Sequence, residues 1–193
     1  MHELAPITRT LADYRARRLR FRRYLKRAAV AVILRDSGQG AQVLLALRAH
    51  REGDPWSGDM AFPGGRVDAA DEASASRAAC RETQEEVGLR ITREHGIGRL
   101  NDRLTLDHRR RAPMVVSPFV YRLEQRITPV LNHEIAATRW LSLAWLNEPA
   151  NRQTMRWRVG RLGVPMPCYD CGDGQRLWGL TLAMLDELCG LVR

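Results

Sequence analysis

FPGGRVDAADEASASRAACRETQEEVGL, residues Phe62 to Leu89, is the stretch that decides how this chain is read. It holds a proline-glycine turn, a loop, and a helical run after Asp71 that stops at Gly88, a natural helix terminator. Within that helix Glu82, Glu85 and Glu86 are spaced i, i+3, i+4, which gathers three carboxylates on one face. Cys80, Thr83 and Val87 fall on a roughly opposite face suited to packing inward. Clustered carboxylates repel one another unless something positive sits among them. A hard divalent cation with oxygen ligands, Mg²⁺ or Mn²⁺, is the natural solution. Arg81, four residues before Glu85, is placed to hold a carboxylate in its ligating orientation. In the turn, Pro63 suits the second position and Gly64 the third of a type II turn, which brings bare backbone close to another group. The Gly64 carbonyl then becomes a further metal ligand. RExxEE alone on a helix usually marks a solvated, salt-bridged surface; FPGG before it and VGL after it set this one apart.

With those residues in place, the stretch resembles the Nudix box, G-x5-E-x7-R-E-U-x-E-E-x-G-U with U aliphatic. Arg81 to Leu89 matches its second half, with Thr83 at the aliphatic position. Gly65 and Arg81 are separated by fifteen residues rather than thirteen. The first acidic position is therefore either Asp71, which keeps the spacing, or Glu72, which keeps the residue type. In the family that position is mainly structural. Leu44-Leu45-Ala46-Leu47-Arg48 and Leu177-Trp178-Gly179-Leu180-Thr181 are similar to segments of the coenzyme A diphosphatase branch, and Asn132-His133-Glu134 through Trp140-Leu141 resembles a late Nudix strand. One departure stands out: His50 lies too early to match that branch's histidine before FPGG, and Trp56 occupies its neighbourhood.

The resemblance implies an α+β domain, an α/β/α sandwich around a mixed β-sheet. It also implies Mg²⁺- or Mn²⁺-dependent hydrolysis of a diphosphate joining a nucleoside to another moiety. Coenzyme A or a derivative is the best substrate, with nucleotide sugars, ADP-ribose, dinucleotides and nucleoside triphosphates as alternatives. A noncatalytic nucleotide sensor is the reading from a different class. Glu82, Glu86 and Glu85 would carry the metal. One of them, or Glu134, would accept the proton of the attacking water, and sequence leaves that choice open. Arg48 and the run Arg109-Arg110-Arg111 are positioned to grip phosphates beyond the scissile bond. Trp56 either stacks on a base or anchors its loop.

The rest of the 193 residues fits one domain. Strands are expected at Ala28–Leu34 and Val43–Leu47 as a hairpin, then at Ile91–Leu100, Met114–Leu123 and Ile135–Leu141. Ser142 caps a short helix, and a last helix runs Leu180–Leu191. The net charge of +9 is uneven: residues 1–27 hold nine basic and two acidic side chains, leaving the body nearly neutral. Leu4, Ile7, Leu11, Tyr14, Arg18, Phe21 and Leu25 form an apolar stripe interrupted once. Residues 1–27 are thus expected to be a basic amphipathic helix preceding a domain at 28–193, with nucleic acid as a lesser partner through its arginines. No segment has the length of a membrane span or the apolar core of a secretory signal, and four cysteines are too few for a disulfide scaffold. A cytoplasmic protein is expected, with a small nucleotide diphosphate as its main partner, no membrane, and a homodimer allowed. Cys168-Tyr169-Asp170-Cys171 is a lone CxxC without a second ligand pair for zinc. Trp157 and Trp178 read as core or interface residues.

Overall fold

The structure, a computed structural model, describes residues 4–53, 56–107, 112–124, 127–159 and 162–192. The strands in chain order are β1 (Lys26–Asp36), β2 (Ala41–Arg48), β3 (Met60–Ala61), β4 (Gly64–Arg66), β5 (Gly96–Arg99), β6 (Arg103–Asp107), β7 (Ala112–Arg122), β8 (Ile135–Ser142), β9 (Arg152–Val159), β10 (Leu162–Asp170) and β11 (Arg176–Trp178). The helices are α1 (Leu4–Asp13), α2 (Ala75–Val87), α3 (Leu143–Asn147) and α4 (Gly179–Leu191).

Strand β1 organises the whole. Its apolar run is buried on both faces, and alternation along it assigns each residue to one of two cores. Ala29, Ala31 and Ile33 meet Ala78, Ala79 and Val87 of α2. Ala28, Val32 and Leu34 belong to the other core, with Leu4, Ile7 and Leu11 of α1 and Leu182, Leu185 and Leu188 of α4. Each large aliphatic side chain so buried contributes about 1.5–3 kcal/mol. The result is the α/β/α sandwich expected from sequence. The sheet is mixed: β1 runs antiparallel to β2 and β4 but parallel to β7, whose far side carries β5 and β6. β8 pairs with β2.

Several expectations hold closely. The hairpin forms with Leu34 opposite Val43, and Ser142 caps α3 by accepting the N–H groups of Ala144 and Trp145. Others need correction. Ile91–Leu100 is a strand only over Gly96–Arg99, because Arg93–His95 folds into a 3₁₀ turn. The N-terminal stripe is α-helical only over Leu4–Asp13. Beyond it Asn101 Oδ1 accepts the Arg17 N–H at 2.6 Å and Asp102 Oδ2 that of Leu19 at 2.9 Å, which draws the chain out of the helix. Phe21 lies exposed on a short 3₁₀ turn instead of extending the buried stripe. Arg9 is the only basic residue of α1, so the arginine-rich charge follows the helix rather than decorating it. The sequence reading also lacks β6 and the second, three-stranded sheet β11–β10–β9. Among the described residues no helix is long and apolar enough to cross a membrane.

Candidate active site

Helix α2 is fixed at both ends. The Ser74 side chain accepts the Arg77 N–H, and Gly88 closes the helix in the left-handed conformation (φ 69°) with its N–H on the Gln84 carbonyl. Thr83 points inward, fully buried, its hydroxyl on the Ala79 carbonyl at 2.7 Å. With that face against β1, the carboxylates of α2 reach over β4.

Gly64 and Gly65 are the ground on which they rest. The Gly64 N–H donates to Glu86 Oε2 at 2.9 Å. Gly64 has φ 153°, not the roughly +80° of a type II third position, and it pairs with Val30 as the first residue of β4. The expected turn is thus replaced by a strand entry, with Ala31 N–H on the Pro63 carbonyl at 2.8 Å. A Cβ on Gly64 would come 2.6 Å from Val30 Cα; one on Gly65 would overlap the Glu82 carboxylate. Only glycine lets both contacts exist.

Arg81 holds the acidic groups together from behind. Its guanidinium makes a two-point contact with Asp71 (Nε–Oδ1 and Nη2–Oδ2, both 3.1 Å), donates to the Arg66 carbonyl at 3.0 Å, and reaches Glu82 Oε1 at 3.0 Å and Glu85 Oε2 at 3.1 Å. Asp71, 1% exposed, also accepts the Asp68 N–H. Burial opposes its ionisation, yet Arg81 and that N–H hold its carboxyl below the usual range. Glu72 is exposed, left-handed (φ 49°), and paired with Arg77. The ambiguous acidic position is therefore Asp71, in a structural role.

Glu86 is only 7% exposed. Burial pushes its pKa up to about 7; Glu82 and Glu134 add to the rise, while the Gly64 N–H and Arg48 oppose it. Burial likewise raises Glu82, against the pull of Arg81. Among the described residues no three carboxylate, imidazole or thiol groups stand ready as a metal shell. Arg81 engages Glu82 and Glu85, and Gly64 engages Glu86. The donor set nevertheless fits a hard divalent cation: oxygen ligands only, with Glu82 and Glu86 partly desolvated.

These groups face a cleft of about 1160 Å³. Gly64, Glu82, Glu85, Glu86, Glu134, Arg48 and Trp56 all line it, so the structure brings together most of the residues singled out from sequence. Arg81 stands behind the cleft wall. Arg109, Arg110 and Arg111 lie outside the described residues. Sequence reading missed Arg51, Arg66, Asn132 and Leu180 as lining residues, and took Trp178 as core or interface. Trp178 does pack on Trp157, the rings tilted by 40° with centroids 4.3 Å apart, but it also lines the cleft. The signal for this was the segment Trp178-Gly179-Leu180-Thr181, all four of which line the cleft. Cys168 and Cys171 are buried free thiols, both raised by burial, Cys171 to about 11.

A family model described as the NUDIX domain matches residues 25–158. The mitochondrial coenzyme A diphosphatase of Homo sapiens is 32% identical over 160 residues, covering 82% of this chain and 66% of that protein. An uncharacterised protein of Schizosaccharomyces pombe is 36% identical over 111 residues, 55% of this chain and 33% of its own length. The chain thus spans a third to about two thirds of these relatives. Among solved structures, a MutT/nudix family protein from Enterococcus faecalis superposes with TM-score 0.57 at 20% identity, over 86% of this chain and 60% of that one. A Caenorhabditis elegans Ap4A hydrolase gives 0.50 at 23%, over 62% and 82%. At such identities the superpositions speak for the fold alone.

Proposed function

The chain belongs to the Nudix family, and from that premise we propose that it hydrolyses the diphosphate bond of a nucleoside diphosphate linked to another moiety, with Mg²⁺ or Mn²⁺ as cofactor. The observation that carries this reading is the placement of Glu82 and Glu86 over Gly64 and Gly65, in a cleft that Arg48, Arg51 and Arg66 also line. Nudix hydrolases generally use divalent metal ions, and Glu82, Glu85 and Glu86 are the residues to hold one here. The cation supplies charge neutralisation on the phosphate oxygens and acidifies a bound water. Arg48, Arg51 and Arg66 bind the outer phosphate oxygens. The glycine pair gives the Glu82 and Glu86 carboxylates their room over β4. The proton of the attacking water passes to Glu86 or Glu134, both of which face the cleft. Arg81 touches no substrate in this scheme; it positions Glu82 and Glu85.

Coenzyme A or a derivative is the substrate we favour, supported by the likeness to coenzyme A diphosphatases and by Trp178–Thr181 in the cleft wall. A cytoplasmic setting is our proposal from the four free thiols, three of them buried; the human and mouse relatives are named mitochondrial. The test is mass-resolved product analysis on a panel of coenzyme A, ADP-ribose, nucleotide sugars, dinucleotides and nucleoside triphosphates with Mg²⁺ or Mn²⁺. Glu86→Gln serves as the blank. Cleavage at a diphosphate, lost in EDTA and in the variant, supports the reading; equal turnover by Glu86→Gln sinks the site assignment.

A further inference from the structure

The arginines that follow α1 form a surface of their own. Between Tyr14 and Leu19 the chain is pinned through its backbone to the β5–β6 connection. Asn101 Oδ1 accepts the Arg17 N–H, the Asp102 N–H donates to the Arg17 carbonyl at 3.0 Å, and Asp102 Oδ2 accepts the Leu19 N–H. With the backbone so held, Arg15, Arg17, Arg18, Arg20 and Arg23 are all exposed, and among the described residues none of the five has an ion pair. The chain carries no acidic residue between Asp13 and Asp36. The acids beneath the strip are already engaged. Asp102, 2% exposed, accepts from Arg99 and from the Ser117 hydroxyl at 2.7 Å, and lies 3.5 Å from Arg22. Glu187 accepts the Tyr14 hydroxyl at 3.0 Å and an Arg103 N–H at 2.6 Å. Burial lowers the pKa of Arg99, Asp102 opposes the fall, and Arg18 and Arg22 add to it, so three guanidiniums crowd one carboxylate. Surplus positive charge therefore faces outward, which attracts a polyanion.

Two aromatic rings choose among polyanions. Phe21 is 48% and Tyr24 74% exposed, and three residues apart in a 3₁₀ turn they share a side. The Arg23 guanidinium carbon lies 4.7 Å from the Tyr24 ring centroid. A single-stranded nucleic acid offers both matching parts, phosphates for guanidinium forks and unstacked bases for rings. A duplex keeps its bases stacked on one another. A lipid surface would ask for the apolar stripe of α1, but Leu4, Ile7 and Leu11 are spent in the core. We propose that Arg15 to Tyr24 form a docking surface for single-stranded nucleic acid, the arginines taking backbone phosphates and Phe21 and Tyr24 stacking on bases. This surface is separate from the cleft, which no described residue before Arg48 lines.

The test is fluorescence titration of the full chain at several salt concentrations. The probes are labelled single strands of about twelve nucleotides, a duplex of the same length, heparin, and vesicles of equal parts phosphatidylcholine and phosphatidylserine. The single strand should bind tightest, its log affinity falling with log salt by about 0.7 for each phosphate contacted. Phe21→Ala and Tyr24→Ala should each weaken binding roughly tenfold and leave the salt slope unchanged. Arg17→Gln, Arg20→Gln and Arg23→Gln together should lower that slope by about 2. All five side chains are exposed, so thermal melts should not move. Diphosphate turnover should be unchanged in every variant. Heparin and duplex bound as tightly as the single strand, with no effect of the aromatic substitutions, would leave only unspecific charge and overturn the proposal. Tighter binding to the vesicles would reassign the surface to lipid, and no binding at low salt would remove it altogether.

Discussion

At the scale of single residues, Glu86 is the most consequential, because burial and its acidic neighbours hold its pKa near 7 against an ordinary 4.5. A group raised in the folded state contributes stability that is full below the unfolded value and lost as pH rises through the folded one. Metal-free protein should therefore weaken between about pH 4.5 and pH 7. Glu86→Gln removes that loss, so in EDTA at pH 8 it should exceed the wild type by about 3 kcal/mol, with no difference near pH 4.5. Denaturant titration at the two pH values checks this; a variant less stable at pH 8 contradicts it. The same substitution should lower kcat by at least about a hundredfold. Asp71 and Glu72 make a second contrast. Asp71→Asn leaves Arg81 without its buried partner and should cost about 3 kcal/mol, whereas Glu72→Gln should stay within about 0.5 kcal/mol. Two thermal melts decide between them. Sequence left these two residues as equals because spacing and residue type point to different ones; only burial and the two-point contact with Arg81 separate them.

At the scale of elements, β4 and α2 act as one unit, and the glycine pair shows how. A side chain at Gly64 meets β1 backbone, which cannot yield; one at Gly65 meets the end of a glutamate, which can. Gly64→Ala should destabilise the fold by roughly 2–3 kcal/mol. Gly65→Ala should fold normally and lose turnover through a displaced Glu82. Melts paired with kinetics on each variant test the division, and equal loss of stability in both refutes it. Helix α2 was legible because its stop is local: Gly88 adopts a conformation few other residues tolerate, and Ser74 is a common cap. β1 and β2 were legible as short buried apolar runs. The second sheet was not. β9 reads RQTMRWRV, mostly polar and exposed, and β10 contains Pro165 and Pro167, which argue against a strand. The end of α1 was hidden for another reason. Its periodicity continues past Asp13, but Asn101 and Asp102, nearly ninety residues away, take the N–H groups a longer helix would use. No local pattern reports a distant competitor of that kind.

At the scale of the whole molecule, the cleft is built from segments far apart in the chain. The face we assign to the metal comes from residues 64 to 86, the arginines we assign to the phosphates from β2, β4 and the loop after β2, and one wall from the β11–α4 junction. Such a division separates chemistry from recognition. Loss of the metal should abolish turnover without unfolding the protein, since neither hydrophobic core includes Glu82, Glu85 or Glu86; EDTA should silence the enzyme and Mg²⁺ or Mn²⁺ restore it. Loss of the far wall should act differently. Trp178 lines the cleft with no part assigned to it in the chemistry, and its ring packs at a tilt against Trp157. Trp178→Ala should raise KM about tenfold or more while kcat stays within about threefold, the pattern of a contact made equally in ground and transition states. The packing it loses against Trp157 should cost about 2 kcal/mol, which leaves the fold standing. Glu82→Gln, on the opposite side of the division, should lower kcat. Steady-state kinetics on the two variants read the separation directly. A fall in kcat with unchanged KM for Trp178→Ala would place the β11–α4 junction within the reacting centre, and the boundary between recognition and chemistry would have to be redrawn through α4.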